Sequence, residues 1–318
     1  MGTGNAVTIV HSLEELDGGP SVVTIGTFDG VHRGHQLLLE TTVQRARELG
    51  VKSGVVTFEP IPAMVLRPDR FQGRICSAEE KLEQLGAACP DTIAVLTFDR
   101  ELSLQTPELF MTNLSRSFGI REFWVGEAFA LGKDRVGNVE RLTQIGAELG
   151  FSVNVLNRVA DGDLVISSSA IRTAIANGEV SKAAKLLGRP FRVSGVVIHG
   201  AHFGRTIGYP TANFEPPIDQ VPLADGIYAS LCWLPGESAP RPAMTYVGTR
   251  PTVNSGPRQI ETNILDYEGD LYGRKLELDL IERLRPDEAF ATVDEMISQL
   301  GRDELATRNR LANQPSVL

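Results

Sequence analysis

Short apolar runs alternate with segments of helical periodicity through residues 1–187, and this alternation is the chain's main organising signal. Val22–Phe28 predicts a first strand, followed by an amphipathic helix to Leu49, where Gly50 is the residue type a helix C-terminus favours. Gly54–Phe58 predicts a second strand, succeeded by a loop carrying Pro60, Pro62 and Pro68. Ser77-Ala78-Glu79-Glu80 reads as a capping box that opens a helix toward Ala88. Thr92–Phe98 predicts a third strand, and Thr106-Pro107 an N-cap with proline at the first helical position. A fourth strand at Phe123–Val125, a helix at Asn138–Leu149 stopped by Gly150, and a fifth strand at Phe151–Leu156 complete the series. Strands alternating with helices at this spacing predict an α/β fold, a doubly wound parallel sheet with helices on both faces. Ligands of such sheets bind beyond the carboxyl ends of the strands.

The pattern changes after Gly188-Arg189-Pro190. Alternating strands with tight turns are expected at Phe191–Ile198, Gly226–Trp233, Ala243–Val247, Ile260–Leu265 and Leu276–Ile281, with prolines between them. Helical periodicity returns only at Thr292–Leu300 and Arg302–Ala312. This half predicts an antiparallel barrel or sandwich with a C-terminal helical cap. The boundary is expected near residue 187, giving domains 1–187 and 188–318.

Composition narrows the function classes. A net charge of −9 argues against a general nucleic-acid or anionic-membrane surface, so anionic ligands must be met by local clusters. Cys76, Cys89 and Cys232 are too scattered for a zinc pair or a disulfide framework, which fits a reducing compartment. No basic segment followed by an apolar run opens the chain, and no stretch of about 18 apolar residues occurs, so a cytoplasmic protein is expected. Nothing in the sequence sets the oligomeric state.

The first chemical cluster is Gly26-Thr27-Phe28-Asp29-Gly30-Val31-His32-Arg33-Gly34-His35, between the first strand and its helix. A strand, a glycine-rich turn and a helix start aim backbone N–H groups and a positive helix end at an anion. His32 and His35 add donors for phosphate oxygens, so the turn reads as a cradle for a nucleoside triphosphate, or else as a purely structural turn. Ile166-Ser167-Ser168-Ser169-Ala170-Ile171-Arg172 sets three hydroxyls at a helix start with Arg172 one turn in. That is either a plain N-cap or a second anion-binding end. Clamped from both ends, a triphosphate needs no protein nucleophile: positioning and charge neutralisation suffice.

Together these two segments resemble the nucleotidyltransferase signature. In its Phe-Asp-Gly-Val-His-Arg-Gly-His form, the first is similar to the adenylyltransferase half of bacterial bifunctional riboflavin kinase/FAD synthetases. The resemblance implies that His32 and His35 meet ATP phosphates and that Ser168 and Arg172 form the second clamp. Gly26, Phe28, Asp29, Gly30, Gly34 and Ser167 join them as candidate nucleotide-binding residues.

The second cluster, His199-Gly200-Ala201-His202-Phe203-Gly204-Arg205-Thr206-Ile207-Gly208-Tyr209-Pro210-Thr211-Ala212-Asn213, lies in the other half. Its glycines permit a loop whose backbone lies against phosphates, and a glycine-rich β-turn is the bland alternative. Thr211 and Asn213 offer uncharged oxygens suited to a magnesium ion shared with a nucleotide. Glu261, in a strand pattern, reads alone as a solvated carboxylate. Gly204-Arg205 with Gly208-Tyr209-Pro210-Thr211-Ala212-Asn213 resembles the flavokinase signature. So do Asp225-Gly226-Ile227-Tyr228, Gly248-Thr249-Arg250-Pro251-Thr252 and Asp270-Leu271-Tyr272-Gly273. The likeness implies that Thr211 and Asn213 bind Mg²⁺ (or another divalent cation) and ATP, with Gly204, Arg205, Gly208 and Pro210 shaping the loop. It also implies that Glu261 accepts the proton of the ribityl 5′-hydroxyl. Riboflavin, FMN and ATP are the expected small-molecule partners.

The chain departs from the family pattern at several positions. Glu59-Pro60-Ile61-Pro62 stands where Asp-Pro-His-Pro is usual, and Ala128 and Leu131 stand where a polar residue and a ring are usual. In the kinase half, Tyr246-Val247-Gly248 replaces Asn-Ile-Gly and Asn263 replaces a histidine. Three functions follow: a bifunctional kinase and adenylyltransferase, a kinase with a weakened first half, or a non-catalytic flavin- or nucleotide-sensing protein.

Overall fold

The computed structural model describes residues 6–158, 160–161, 164–200, 203–249 and 258–312. Ala201, His202 and Arg250–Thr252, parts of the expected kinase motifs, lie outside the described residues. The chain forms two compact units, one of residues 1–71 with 77–168 and the other of 72–76 with 169–318.

In the first unit the order is β1 (Thr8–Val10), β2 (Ser21–Ile25), α1 (Arg33–Leu49), β3 (Lys52–Glu59), α2 (Pro62–Leu66), α3 (Ala78–Ala87) and β4 (Thr92–Thr97). There follow α4 (Arg100–Leu104), α5 (Pro107–Phe118), β5 (Ile120–Gly126), a small hairpin of β6 (Ala130–Leu131) and β7 (Gly137–Asn138), α6 (Val139–Leu149) and β8 (Ser152–Leu156). A second small ribbon pairs β9 (Ala160–Asp161) with β10 (Leu164–Val165). The main sheet has six strands in the order β1-β4-β3-β2-β5-β8, all parallel. Every residue of β2 is buried, which is why this strand reads as a continuous apolar run. Alternate side chains serve the two faces: Val23, Ile25 and Val56 pack with Met111, Leu114 and Ile145, while Val55 and Ile93 pack with Leu38, Leu39 and Leu85. The expected caps form at Ser77, Thr106, Asn138, Gly50 and Gly150. Two elements are additional to those expected, the short edge strand β1 and helix α4, whose N-cap is Asp99.

The second unit begins with α7 (Ser168–Ala176, whose first residue belongs to the first unit) and α8 (Val180–Leu187). Then come β11 (Phe191–Val196), α9 (Phe203–Thr206), β12 (Ala212–Phe214), β13 (Gly226–Trp233), β14 (Arg241–Gly248), β15 (Gln259–Ile264), β16 (Lys275–Pro286) and α10 (Val293–Ala312). Six antiparallel strands run in the order β11-β16-β13-β14-β15-β12, and a bridge between Ile198 and Asn213 draws the chain after β11 to edge strand β12. This is the antiparallel barrel-type sheet expected. The two C-terminal helices expected from periodicity are one, because Gly301 lies inside α10 instead of ending it. A mid-helix glycine costs about 1 kcal/mol. Asp303, two residues on, is buried and receives Arg285 from β16 through Nε and Nη2 at 3.0 and 2.8 Å to Oδ2, which fastens the helix across that position. Residues 72–76 join this unit by pairing with 219–221: Arg74 N donates to Asp219 O at 2.7 Å and Val221 N to Arg74 O at 3.0 Å. Gly73, at φ +93°, has no room for a side chain, since a Cβ there would stand 2.4 Å from Val221 N.

Candidate functional sites

The turn after β2 is built from strained backbone. Phe28 and Val31 have φ of 50° and 37°, in the left-handed region that β-branched and bulky residues avoid. Such positions cost of order 1–3 kcal/mol each and persist only where the surroundings impose them. Here both side chains are buried among Leu38, Leu39 and Val55, and Val31 N donates back to Phe28 O at 3.1 Å. Gly30, at φ +77°, completes the reversal. Gly26 remains hydrogen-bonded to β3 through Val56 O at 3.0 Å, with the Phe28 ring folded over it so closely that a Cβ would lie 3.1 Å from the ring. The buried Asp29 offers its carbonyl to the Ser168 hydroxyl at 3.3 Å. Gly34 sits in the first turn of α1 beneath the His32 ring.

His32 is the N-cap of α1: its Nδ1 accepts from His35 N at 3.3 Å, which fixes its proton on Nε2 while neutral. The two imidazoles stack with centroids 3.6 Å apart, and Phe28 meets His35 edge-on at 5.2 Å. Burial lowers the pKa of His32 to about 4. Burial, then the charge a protonated His32 would carry, holds His35 well below the usual imidazole range. His35 Nδ1 is inaccessible and has no partner in the protein. Two neutral donors at a helix N-terminus can receive phosphate oxygens without carrying charge of their own.

Ser167 precedes α7 and Ser168 begins it, and the Ser168 bond to Asp29 O brings this second segment to the first. Arg172, one turn on, lies in the second unit and donates from Nε to Gly73 O at 2.8 Å.

Beside Gly26 and Thr27 opens a cavity of about 740 Å³, walled by Phe58, Phe98, Phe129 and Leu131 and rimmed by Arg67, Arg100, Lys133 and Arg135. Its size and apolar walls suit a flat ring system. Arg135 donates from Nη2 to the Ala128 carbonyl at 3.0 Å, so a guanidinium stands next to the position whose polar side chain is missing. Ile61 is buried at the start of α2 and supplies no side-chain cap. Glu59 is held at 2.9 Å by Lys81, which also donates to Phe58 O at 2.7 Å. Lys81 is a residue that motif reading passes over. Its only signal in the sequence is a lysine four positions before Leu85 on the apolar stripe of α3, and both side chains are buried.

In the second unit the loop after β11 forms the short α9, then turns through Gly208 (φ +86°) into Pro210-Thr211 and β12. Tyr209 N donates to Gly204 O at 2.8 Å, and a Cβ on Gly204 would collide with Tyr209 O at 2.2 Å. Arg205 is exposed on α9. Strand pairing sets Asn213 opposite Glu261 on β15. Thr211 Oγ1 stands 3.5 Å from Glu261 Oε2, and Asn213 Nδ2 reaches Thr211 O at 3.0 Å and Oγ1 at 3.4 Å. The structure thus brings Thr211, Asn213 and Glu261 together although 50 residues separate Thr211 from Glu261. Asn263, where a histidine was expected, is buried and donates to Pro210 O at 2.7 Å, tying the loop to the strand that carries Glu261. Nearby motif residues also pair, with the His199 and Tyr272 rings 3.9 Å apart.

Residues 15–170 match the family model of FAD synthetase, and residues 187–311 match that of riboflavin kinase. Over 300 residues the chain is 37% identical to the bifunctional riboflavin kinase/FMN adenylyltransferase of Escherichia coli strain K12, covering 94% of this chain and 95% of that protein. The chain belongs to the bifunctional riboflavin kinase/FMN adenylyltransferase family. Members from Pseudomonas fluorescens (37% identity, 90% and 92% coverage) and Listeria monocytogenes (33%, 90% and 91%) are similar over the same extent. The fold is also similar to a solved Streptococcus pneumoniae structure described as a macrolide-efflux protein, with a TM-score of 0.85, 29% identity and coverage of 96% and 99%. Among the described residues no helix is long and apolar enough to cross a membrane. Against this family's pattern, Ile61, Ala128 and Leu131 all fall on or beside one cavity, whereas Asn263 replaces a histidine and still grips the loop.

Proposed function

We propose that the chain phosphorylates riboflavin to FMN with ATP and adenylylates FMN to FAD, in the cytoplasm, through domains 188–318 and 1–187 respectively. In the first reaction the ribityl 5′-hydroxyl oxygen bonds to the γ-phosphorus while the bond from γ-phosphorus to the bridging oxygen breaks and ADP leaves. Glu261 takes the hydroxyl proton, while Gly204, Arg205, Gly208 and Pro210 shape the loop that holds the phosphates. In the second, an FMN phosphate oxygen bonds to the α-phosphorus of ATP and pyrophosphate leaves. Gly26, Phe28, Asp29, Gly30 and Gly34 form the cradle, with His32, His35, Ser167, Ser168 and Arg172 supplying donors. The apolar cavity beside Gly26 takes the flavin ring.

The observation that carries this reading is the meeting of Thr211, Asn213 and Glu261 in one corner of the second unit. The oxygens there fit a hard divalent cation. Among the described residues no three His, Cys, Asp or Glu side chains are grouped to hold a metal, so the nucleotide phosphates must supply most ligands, as suits Mg²⁺. Thr211 and Asn213 are the residues that would hold it, and its chemistry is to neutralise charge on the transferring phosphoryl group.

Ile61, Ala128 and Leu131 favour a second reading, in which adenylylation is weak and the first half serves as a scaffold. Incubation of the purified protein with riboflavin, ATP and Mg²⁺, followed by chromatography of the flavins, separates the readings. FMN with FAD supports the bifunctional enzyme, and FMN that persists with fresh ATP supports the second. Unchanged riboflavin refutes both.

A further inference from the structure

We infer that Tyr209 and Glu304 are positioning residues for the nucleotide of the kinase half, with helix α10 acting as the fixed support on which the phosphate loop rests. This rests on the kinase reading given above. The loop between α9 and β12 is tied to other elements at two points: Asn263 grips Pro210 O, and the Tyr209 hydroxyl is hydrogen-bonded to Glu304 of α10. Beneath that hydroxyl lies Gly301, one turn earlier in the helix, where a Cβ would come to 3.7 Å. Glu304 is itself braced by Arg308 at 2.8 Å. Arg308 also makes a bidentate contact, at 2.7 and 2.8 Å, with Asp266 just beyond β15, the strand that carries Glu261. The helix does not give under this load, because the buried Asp303 receives Arg285 from β16. A single helix therefore fixes the loop bearing Thr211 in relation to the strand bearing Glu261. A proton acceptor held at one end of a phosphate path works only if the phosphate is held at the other.

Tyr209→Phe keeps the ring and deletes the hydroxyl. The expected result is a rise of about tenfold in KM for ATP during riboflavin phosphorylation, the loss of one hydrogen bond to a charged group, with kcat unchanged. FAD formation from supplied FMN should be unaffected. Glu304→Ala should reproduce the effect, Glu304→Gln should keep most of the wild-type KM, and Tyr209→Phe with Glu304→Ala should be no worse than either alone. A KM within twofold of wild type in Tyr209→Phe, or effects that multiply in the double variant, would overturn the inference while leaving the kinase reading intact. Failure of the wild-type protein to make FMN would overturn both.

Discussion

Because His32 is buried and neutral, the first unit should lose stability in acid well before its carboxylates titrate. In the unfolded chain His32 binds a proton near pH 6.5, whereas in the folded protein it does so only near 4. Between these values the unfolded state holds more protons, so stability rises with pH and is lost as pH falls below 6.5. For these two pKa values the loss is about 2 kcal/mol at pH 5 relative to pH 7.5 and above. His35 adds to it in the same direction. The perturbation is His32→Asn, which preserves an N-cap acceptor for α1 and removes the titrating ring. We predict that urea midpoints of the first unit, followed by hydrogen exchange in β2 and β3 peptides, fall more steeply between pH 7 and pH 5 in the wild type than in His32→Asn. The gap between the two curves should widen by about 2 kcal/mol over that range. Parallel curves would refute the claim that the imidazole stack is kept neutral by burial.

Further predictions address the two reactions. Glu261→Ala should reduce FMN formation by about 10²–10⁴-fold, the usual worth of a general base, with ATP affinity measured by calorimetry nearly unchanged. Ala128→Asn combined with Leu131→Phe should raise the rate of FAD formation from FMN by about tenfold or more, since each restored partner is worth about 1–3 kcal/mol, and chromatography of the products checks it. Asn263→Ala, which strips the Pro210 carbonyl of its buried donor, should raise KM for ATP in the kinase assay by about tenfold and lower the melting temperature.

The elements that could be read in advance were those whose signal is local. The fully apolar β2, the caps at Ser77, Thr106 and Asn138, and the glycine-rich turn at 26–35 all announce themselves within a few residues. Glu261 was legible only through a family likeness, because what distinguishes it from a solvated carboxylate is Thr211, brought across by strand pairing. Lys81 and Tyr209 were illegible for the same physical reason. A lysine on a helix and a tyrosine in a loop are ordinary until Glu59 and Glu304 are seen to hold them. Gly301 misled, since a glycine signals a helix end unless distant contacts such as Arg285 to Asp303 hold the turns on either side.

Residues 72–76 give the polypeptide an unusual relation to its own two parts. A simple fusion of two modules has one junction, and a cut there yields two free bodies. This chain passes between its units after residue 71, again after 76 and a third time after 168. A protease that severed the backbone near residue 187 would therefore leave the fragments interleaved, and an isolated C-terminal piece would lack the segment that pairs with Asp219 and Val221. Gene shuffling faces the same obstacle: exchanging the second half alone would transplant a fold without one of its own pieces.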